Sequence, residues 1–152
     1  MQIDDLDRRL LRHWQRNPDM GAQELGGAIG LSPTPVARRI EKLKKAGVLK
    51  GARAVINWAA LGFEVEVSLR VSLDKTNPRA FDEFLGAARQ IPEVIELQTF
   101  LGRVDVRLQV LARDMADYQR LYRSRILTLP HIADIEALMQ VATIKSDEAL
   151  PL

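Results

Sequence analysis

The sequence predicts an α+β chain, with a three-helix unit over residues 1–60 followed by a βαββαβ unit over residues 61–152. Three observations carry that reading. Residues 24–47 spell a helix, a tight turn and a second helix with one basic face, and the apolar period changes from helical to two at Glu64. Beyond Glu64 the patterned segments follow the order β-α-β-β-α-β.

Helix one starts after Asp4, with Asp7 in its first turn complementing the helix dipole and Ile3, Leu6, Leu10, Leu11 and Trp14 at helical spacing. Asn17-Pro18-Asp19 ends it. Gly21 can cap a second helix carrying Gln23, Glu24, Leu25, Ala28 and Ile29. Gly26 and Gly27 weaken that helix by up to about 1 kcal/mol each against alanine, so packing must hold it. Gly30 supplies the left-handed backbone that a tight turn between helices needs. Ser32 follows as N-cap with Pro33 at the first helical position, and Pro35 is tolerated because its missing N–H falls in the first turn.

Along this third helix Val36, Ile40 and Leu43 share one face, while Thr34, Arg38, Lys42 and Lys45 share the opposite one. An apolar stripe that packs, a free basic stripe, a capped turn before it and Gly47 after it form the layout of a helix-turn-helix DNA reader. Its candidate contacts are Ser32, Thr34, Arg38, Arg39, Lys42 and Lys45. The competing reading is a solvated amphipathic helix whose cations only keep the surface soluble. Charge favours the first. Residues 1–60 carry 11 Lys and Arg against 6 Asp and Glu, net +5, whereas residues 61–152 carry 11 against 14, net −3. A basic front suits double-stranded DNA, and the acidic remainder argues against coating nucleic acid along the whole chain.

Val48-Leu49-Lys50-Gly51 through Val55-Ile56-Asn57 reads as a short wing or linker strand. From Glu64 onward Val65, Val67, Leu69, Val71 and Leu73 alternate with polar residues, a half-buried strand. Asn77-Pro78 opens a helix with Phe81, Phe84, Leu85 and Ala88 on one side, and Pro92 precedes a strand from Val94 to Leu101. After a turn at Gly102-Arg103, Val104, Val106, Leu108 and Val110 form another alternating strand. Asp114 caps a helix through Leu127, and a last strand covers Ile132 to Ile144. The order is that of the ferredoxin-like split βαβ.

Hydrophobic residues at 47% and charged ones at 28% describe an ordinary soluble chain. Without cysteine there are neither disulfides nor thiolate sites, and two isolated histidines do not make a zinc centre, so no metal and no resident cofactor are expected. No apolar run approaches the roughly 18 residues of a membrane span, and no secretory leader is visible, which predicts a cytoplasmic protein with no membrane partner. Gly-rich phosphate loops, paired-carboxylate motifs and Ser/His/Asp signatures are missing from the sequence, so it is not read as an enzyme.

Leu31-Ser-Pro-Thr-Pro-Val-Ala-Arg-Arg-Ile, followed by Leu43 and Gly47-Val-Leu-Lys-Gly51, resembles the recognition-helix signature of the Lrp/AsnC (feast/famine) transcription regulators. Gly102-x-x-Asp105 and Leu129-Pro130 match the turn motifs of that family's ligand domain. The similarity spans essentially the whole chain, including Lys145 and the Ala149-Leu-Pro-Leu tail. It implies a homodimer built through the C-terminal domains, often assembled into octamers around which DNA can wrap, with an amino acid as effector. Ala52, Val106 and His131 stand where the family usually has an aromatic, an aromatic and a glycine. Siroheme decarboxylases resemble the same family over both domains and supply the enzyme alternative, but their basic, histidine-bearing active-site segment has no clear counterpart in this chain.

The effector expectation falls on Leu101, Gly102, Arg103, Val104, Asp105 and His131. Gly102 permits a turn whose N–H groups approach a carboxylate, Arg103 adds a cation, and Asp105 can accept from an α-ammonium. The bland alternative is an ordinary hairpin turn with a solvent-exposed Arg–Asp pair, and for His131 a loop histidine facing water. His13 is expected to be partly exposed and structural, and Trp14 and Trp58 are expected to pack in the core or between domains rather than stack on bases.

Overall fold

Two carboxylates start the first helix of the structure, a computed structural model that describes residues 2–146 and 149–152. Helix α1 (Asp5–Arg16) is capped by Asp4, whose Oδ1 accepts the Asp7 N–H at 2.7 Å, while Asp7 Oδ2 accepts the Asp4 N–H at 3.2 Å. Asp7 therefore closes a reciprocal cap besides complementing the dipole. Helix α2 (Ala22–Ile29) begins at Gly21 and ends on Gly30 at φ 77°, and helix α3 (Pro33–Lys45) begins at Ser32. Leu10, Leu25, Ile29, Val36 and Leu43 form the buried centre of this unit, with Trp14 packed against it.

Gly26 is more than a weak point in α2. Its carbonyl accepts the Leu31 N–H at 2.9 Å, and a Cβ at this position would lie 2.3 Å from the Leu31 carbonyl oxygen. The turn that aims α3 runs directly over it.

The wing strand expected over residues 48–57 is not formed. Gly51 adopts φ 137°, Val55 and Ile56 are exposed, and among the described residues every strand belongs to one sheet elsewhere in the chain, so the segment has no ladder to join. A short 3-10 turn (Ala59–Leu61) follows, preceded by Trp58, which is exposed and outside both cores.

The second unit contains β1 (Val65–Leu73), α4 (Ala80–Ala88), β2 (Val94–Thr99), β3 (Val106–Ala112), α5 (Met115–Leu121) and β4 (Ile132–Met139). Its sheet is antiparallel throughout in the order β2-β3-β1-β4, the ferredoxin-like arrangement. Val67, Leu69 and Val71 pair in register with Val110, Leu108 and Val106, and this apolar face is covered by Phe84 and Ala88 of α4 and by Tyr118 and Leu121 of α5. The other face carries Glu66, Ser68, Arg70, Arg107 and Gln109, with Arg107 Nη2 donating to Glu96 at 2.9 Å.

Strand ends are tighter than the periodicity predicts. β2 stops at Thr99, β3 starts at Val106, and β4 stops at Met139, where Gln140 N–H makes a last bond to the Glu66 carbonyl at 3.0 Å. Helix α5 continues to Ile126 as a π-helical turn over Tyr122–Ile126, closed by Leu127 N–H to the Tyr122 carbonyl at 2.8 Å.

The two compact units comprise Met1–Val55 with Lys145–Leu152, and Ile56–Ile144. The tail expected with the second unit joins the first. Gln15 and Leu150 exchange two bonds of 2.8 Å, from Gln15 Nε2 to the Leu150 carbonyl and from Leu150 N–H to Gln15 Oε1, and Arg12 Nε donates to the Leu152 carbonyl.

Candidate functional site

Helix α3 presents its cations because its apolar spacing leaves them no alternative. With Val36 and Leu43 fully buried, Thr34, Arg38, Lys42 and Lys45 fall on the solvent side, and all four are exposed. Among the described residues the side chains of Arg38, Lys42 and Lys45 make neither a hydrogen bond nor an ion pair, whereas Lys44, off this face, reaches Glu41 at 3.5 Å. Thr34, Ala37, Arg38, Glu41, Lys42 and Lys45 line one shallow concavity along the helix. Glu41 was not foreseen there, although it lies three residues beyond Arg38 on the same side. Ser32 occupies the N-cap position, but its side chain makes no capping bond.

Arg39 is placed differently from its neighbours. It follows Val36 by three residues and precedes Leu43 by four, a spacing that turns it toward the packed side of α3. Its Nη1 lies 2.9 and 2.7 Å from the two oxygens of Asp4 and 2.7 Å from Asp7 Oδ1. The Asp7 side chain is completely buried and the Arg39 side chain only 24% exposed. The Asp7 backbone N–H, helped by Arg39, holds the Asp4 carboxyl below its ordinary range, and the two carboxylates in turn raise Arg39. This charge is committed inside the unit. The signal was available in the helical phase, which separates Arg39 from Arg38.

The loop between β2 and β3 departs from its expected chemistry. Leu101 is fully exposed, and Gly102 adopts φ 154° with open space around it. Arg103 is exposed and its carbonyl accepts from Ser72 Oγ at 2.8 Å, while Val104 is half-buried. Asp105 is 4% exposed. Its carboxylate accepts the Leu73 N–H at 2.8 Å and the Lys75 ammonium at 2.9 Å, and its own N–H donates to the Val71 carbonyl at 2.9 Å. The Lys75 bond in particular lowers its pKa against the opposing effect of burial. The carboxylate thus staples the loop to Leu73 of β1, and an α-ammonium approaching it would compete with Lys75. Neither Lys75 nor its distance from Asp105 is legible in one sequence.

His131 is likewise engaged. It adopts φ 65°, its carbonyl accepts the Asp74 N–H at 2.8 Å, and its Nε2 lies 2.6 Å from Glu83 Oε2. That bond holds the Glu83 carboxyl below its ordinary value, with Arg79 contributing.

A tight helix-turn-helix with an unpaired cationic row, followed by a small antiparallel α+β unit, defines a DNA-binding transcription regulator. The AsnC-type helix-turn-helix domain matches residues 3–44 and the Lrp/AsnC ligand binding domain matches residues 66–150. The chain belongs to the Lrp/AsnC family. It is 36% identical over 131 residues to a proline dehydrogenase transcriptional activator of Rhodobacter capsulatus, covering 86% of this chain and 85% of that one. Among solved structures it resembles a transcriptional regulator of Neisseria meningitidis in complex with L-Met, at TM-score 0.91 and 25% identity, over 99% of this chain and 97% of that one. It also resembles Escherichia coli AsnC, at TM-score 0.90 and 26% identity, over 98% and 99% of the two chains. These relatives are regulators, so the decarboxylase alternative is set aside.

Proposed function

We propose that the exposed face of α3 reads a palindromic duplex through its major groove, and that the second unit binds a free amino acid which modulates that reading. The observation that carries the DNA assignment is the row Arg38, Lys42 and Lys45, unpaired among the described residues, on the helix that follows the tight turn. Buried cations are paired, whereas cations kept exposed and unpaired on one face suit phosphates and base edges.

The test uses the duplex that the purified protein selects from a random-sequence library. Arg38→Ala is expected to weaken binding to that duplex by about 1–3 kcal/mol, as for loss of a base contact. Lys45→Ala is expected to weaken all duplexes alike and to lower the salt slope by about one, as for loss of a phosphate contact. Unchanged affinity in a folded Arg38→Ala protein would overturn the assignment.

For the effector, support comes from the ligand-binding domain match and from the Neisseria relative that carries L-Met. Gly102 and Arg103 are the groups of the β2–β3 loop suited to a carboxylate, with Leu101 and Val104 beside them. With Asp105 committed to Lys75, the α-ammonium takes its acceptor from another residue. A thermal-shift series over the amino acids checks this. An effector at a hundred times its dissociation constant adds about 2.7 kcal/mol, and Arg103→Ala should reduce that shift without altering DNA affinity measured in its absence. We take the working form to be a homodimer, or an octamer built from four such dimers, with the amino acid as its small-molecule partner and no resident cofactor.

A further inference from the structure

The Arg39 cluster has a geometry that packing alone does not require. Asp4 and Asp7 cap α1 reciprocally, which places two carboxylates side by side at the start of a helix, one of them fully buried. Like charges so close repel, and a buried carboxylate without a partner is costly. One guanidinium nitrogen from the middle of α3 bridges both. Arg39 stands next in sequence to Arg38, and Asp4, Pro35, Arg38, Arg39 and Lys42 border a single depression, so the clamp adjoins the exposed basic row. A residue that locks α3 to the first turn of α1 fixes both the rotation of α3 about its axis and its translation along α1. Those two quantities decide where Arg38 and Thr34 point.

We infer that Arg39 is a positioning residue for DNA recognition, holding α3 in register through Asp4 and Asp7 rather than touching DNA itself. The inference rests on the reading of the α3 face given above. In a specific complex, base contacts depend on side-chain placement to within a fraction of an ångström, whereas phosphate attraction depends mainly on charge count. Loosening the clamp therefore lowers affinity for the selected duplex while leaving non-specific affinity and the salt slope in place.

Two variants test this against the library-selected duplex and a scrambled duplex of equal length, with Arg38→Ala as reference. Asp4→Asn keeps an equally good N-cap and removes the ion pair with Arg39. It also removes a negative charge beside the polyanion. The inference expects Asp4→Asn to lose about tenfold in affinity for the selected duplex, with the scrambled duplex bound as well as before or better. Arg39→Ala should do the same with an unchanged salt slope, and circular dichroism at the assay temperature checks that each variant is folded. If Asp4→Asn instead binds the selected duplex more tightly, Arg39 acts as a DNA contact that Asp4 restrains, and the inference falls. It falls equally if Arg39→Ala lowers the salt slope by about one, or if Asp4→Asn leaves the ratio of the two affinities unchanged. Should Arg39→Ala fail to fold, the Asp4→Asn ratio decides alone. Failure of the DNA reading has a separate signature, because Arg38→Ala would then bind as the wild type does, or the wild type would select no duplex.

Discussion

Asp105 illustrates how a single side chain can be read two ways from sequence and one way from structure. A Gly-x-x-Asp turn offers an acceptor, and an amino acid offers a cation, but an exposure of only 4% obliges this carboxylate to find partners within the fold. Lys75 and the Leu73 N–H are those partners. Asp105→Ala leaves the Leu73 N–H unsatisfied and should destabilise the protein by about 1–3 kcal/mol, read by chemical denaturation. The pH dependence has a definite sign. Because the folded-state pKa of Asp105 is lowered, its contribution is full above about pH 4 and is lost as the pH falls through the folded value. Asp105→Asn cannot titrate, so its stability should fall less than the wild type's between pH 5 and about pH 3. An identical acid limb in the two proteins would show that the Lys75 bond contributes nothing.

At the scale of elements, α2 shows why neighbouring glycines are not equivalent. Both Gly26 and Gly27 lie within the helix, but a Cβ at Gly26 meets the Leu31 carbonyl at 2.3 Å and one at Gly27 meets open space. Gly27→Ala should stabilise the protein by up to about 1 kcal/mol through helix propensity. Gly26→Ala should destabilise it by about 1–3 kcal/mol, since backbone must move to admit the methyl group. Paired thermal melts check the opposite signs. Elements governed by local chemistry were legible in the sequence: the start of α1 after Asp4, Asp114 as a cap, Gly30 as the left-handed stop, and the alternation of Val67, Leu69 and Val71. Elements decided by distant partners were not. The 48–57 segment has β-branched residues but no strand to pair with, and β4 ends where Glu66 ends its ladder. The π-helical turn at Tyr122–Ile126 keeps both Leu121 and Ile126 buried at a spacing of five, a phase shift that no fixed helical period contains. The same divide separates the two sites. The cationic face of α3 follows from helical phase, whereas the commitments of Arg39, Asp105 and His131 depend on groups 30 or more residues away.

The molecule as a whole carries more exposed apolar surface than its two cores account for. Ile56 and Leu61 near the start of the second unit, Val55 at the end of the segment before it, and Val141 and Ile144 at the second unit's end, are all more than half exposed, with Val141 at 97%. The sheet has helices on one face only, and its other face is a polar lattice that includes the half-buried Arg107–Glu96 pair. Exposed apolar residues near both sequence ends of the unit, together with an uncovered sheet face, are surfaces that the proposed assembly with another copy would cover. A palindromic duplex asks for the same symmetry, because two recognition helices one helical turn apart require two chains related by a twofold axis. The full chain is therefore expected to sediment as a dimer or a multiple of dimers at micromolar concentration, and a monomer there would contradict the assembly proposed. Val141→Asp combined with Ile144→Asp introduces charge at two exposed positions that contribute to neither core, so folding should be retained while association weakens. Binding to the selected duplex should then fall with it, because each half-site is held by one helix alone. Binding to a scrambled duplex should change less, since it depends on phosphate contacts that each subunit makes separately. If the doubly substituted chain is monomeric and still binds the selected duplex as the wild type does, recognition does not depend on the twofold assembly.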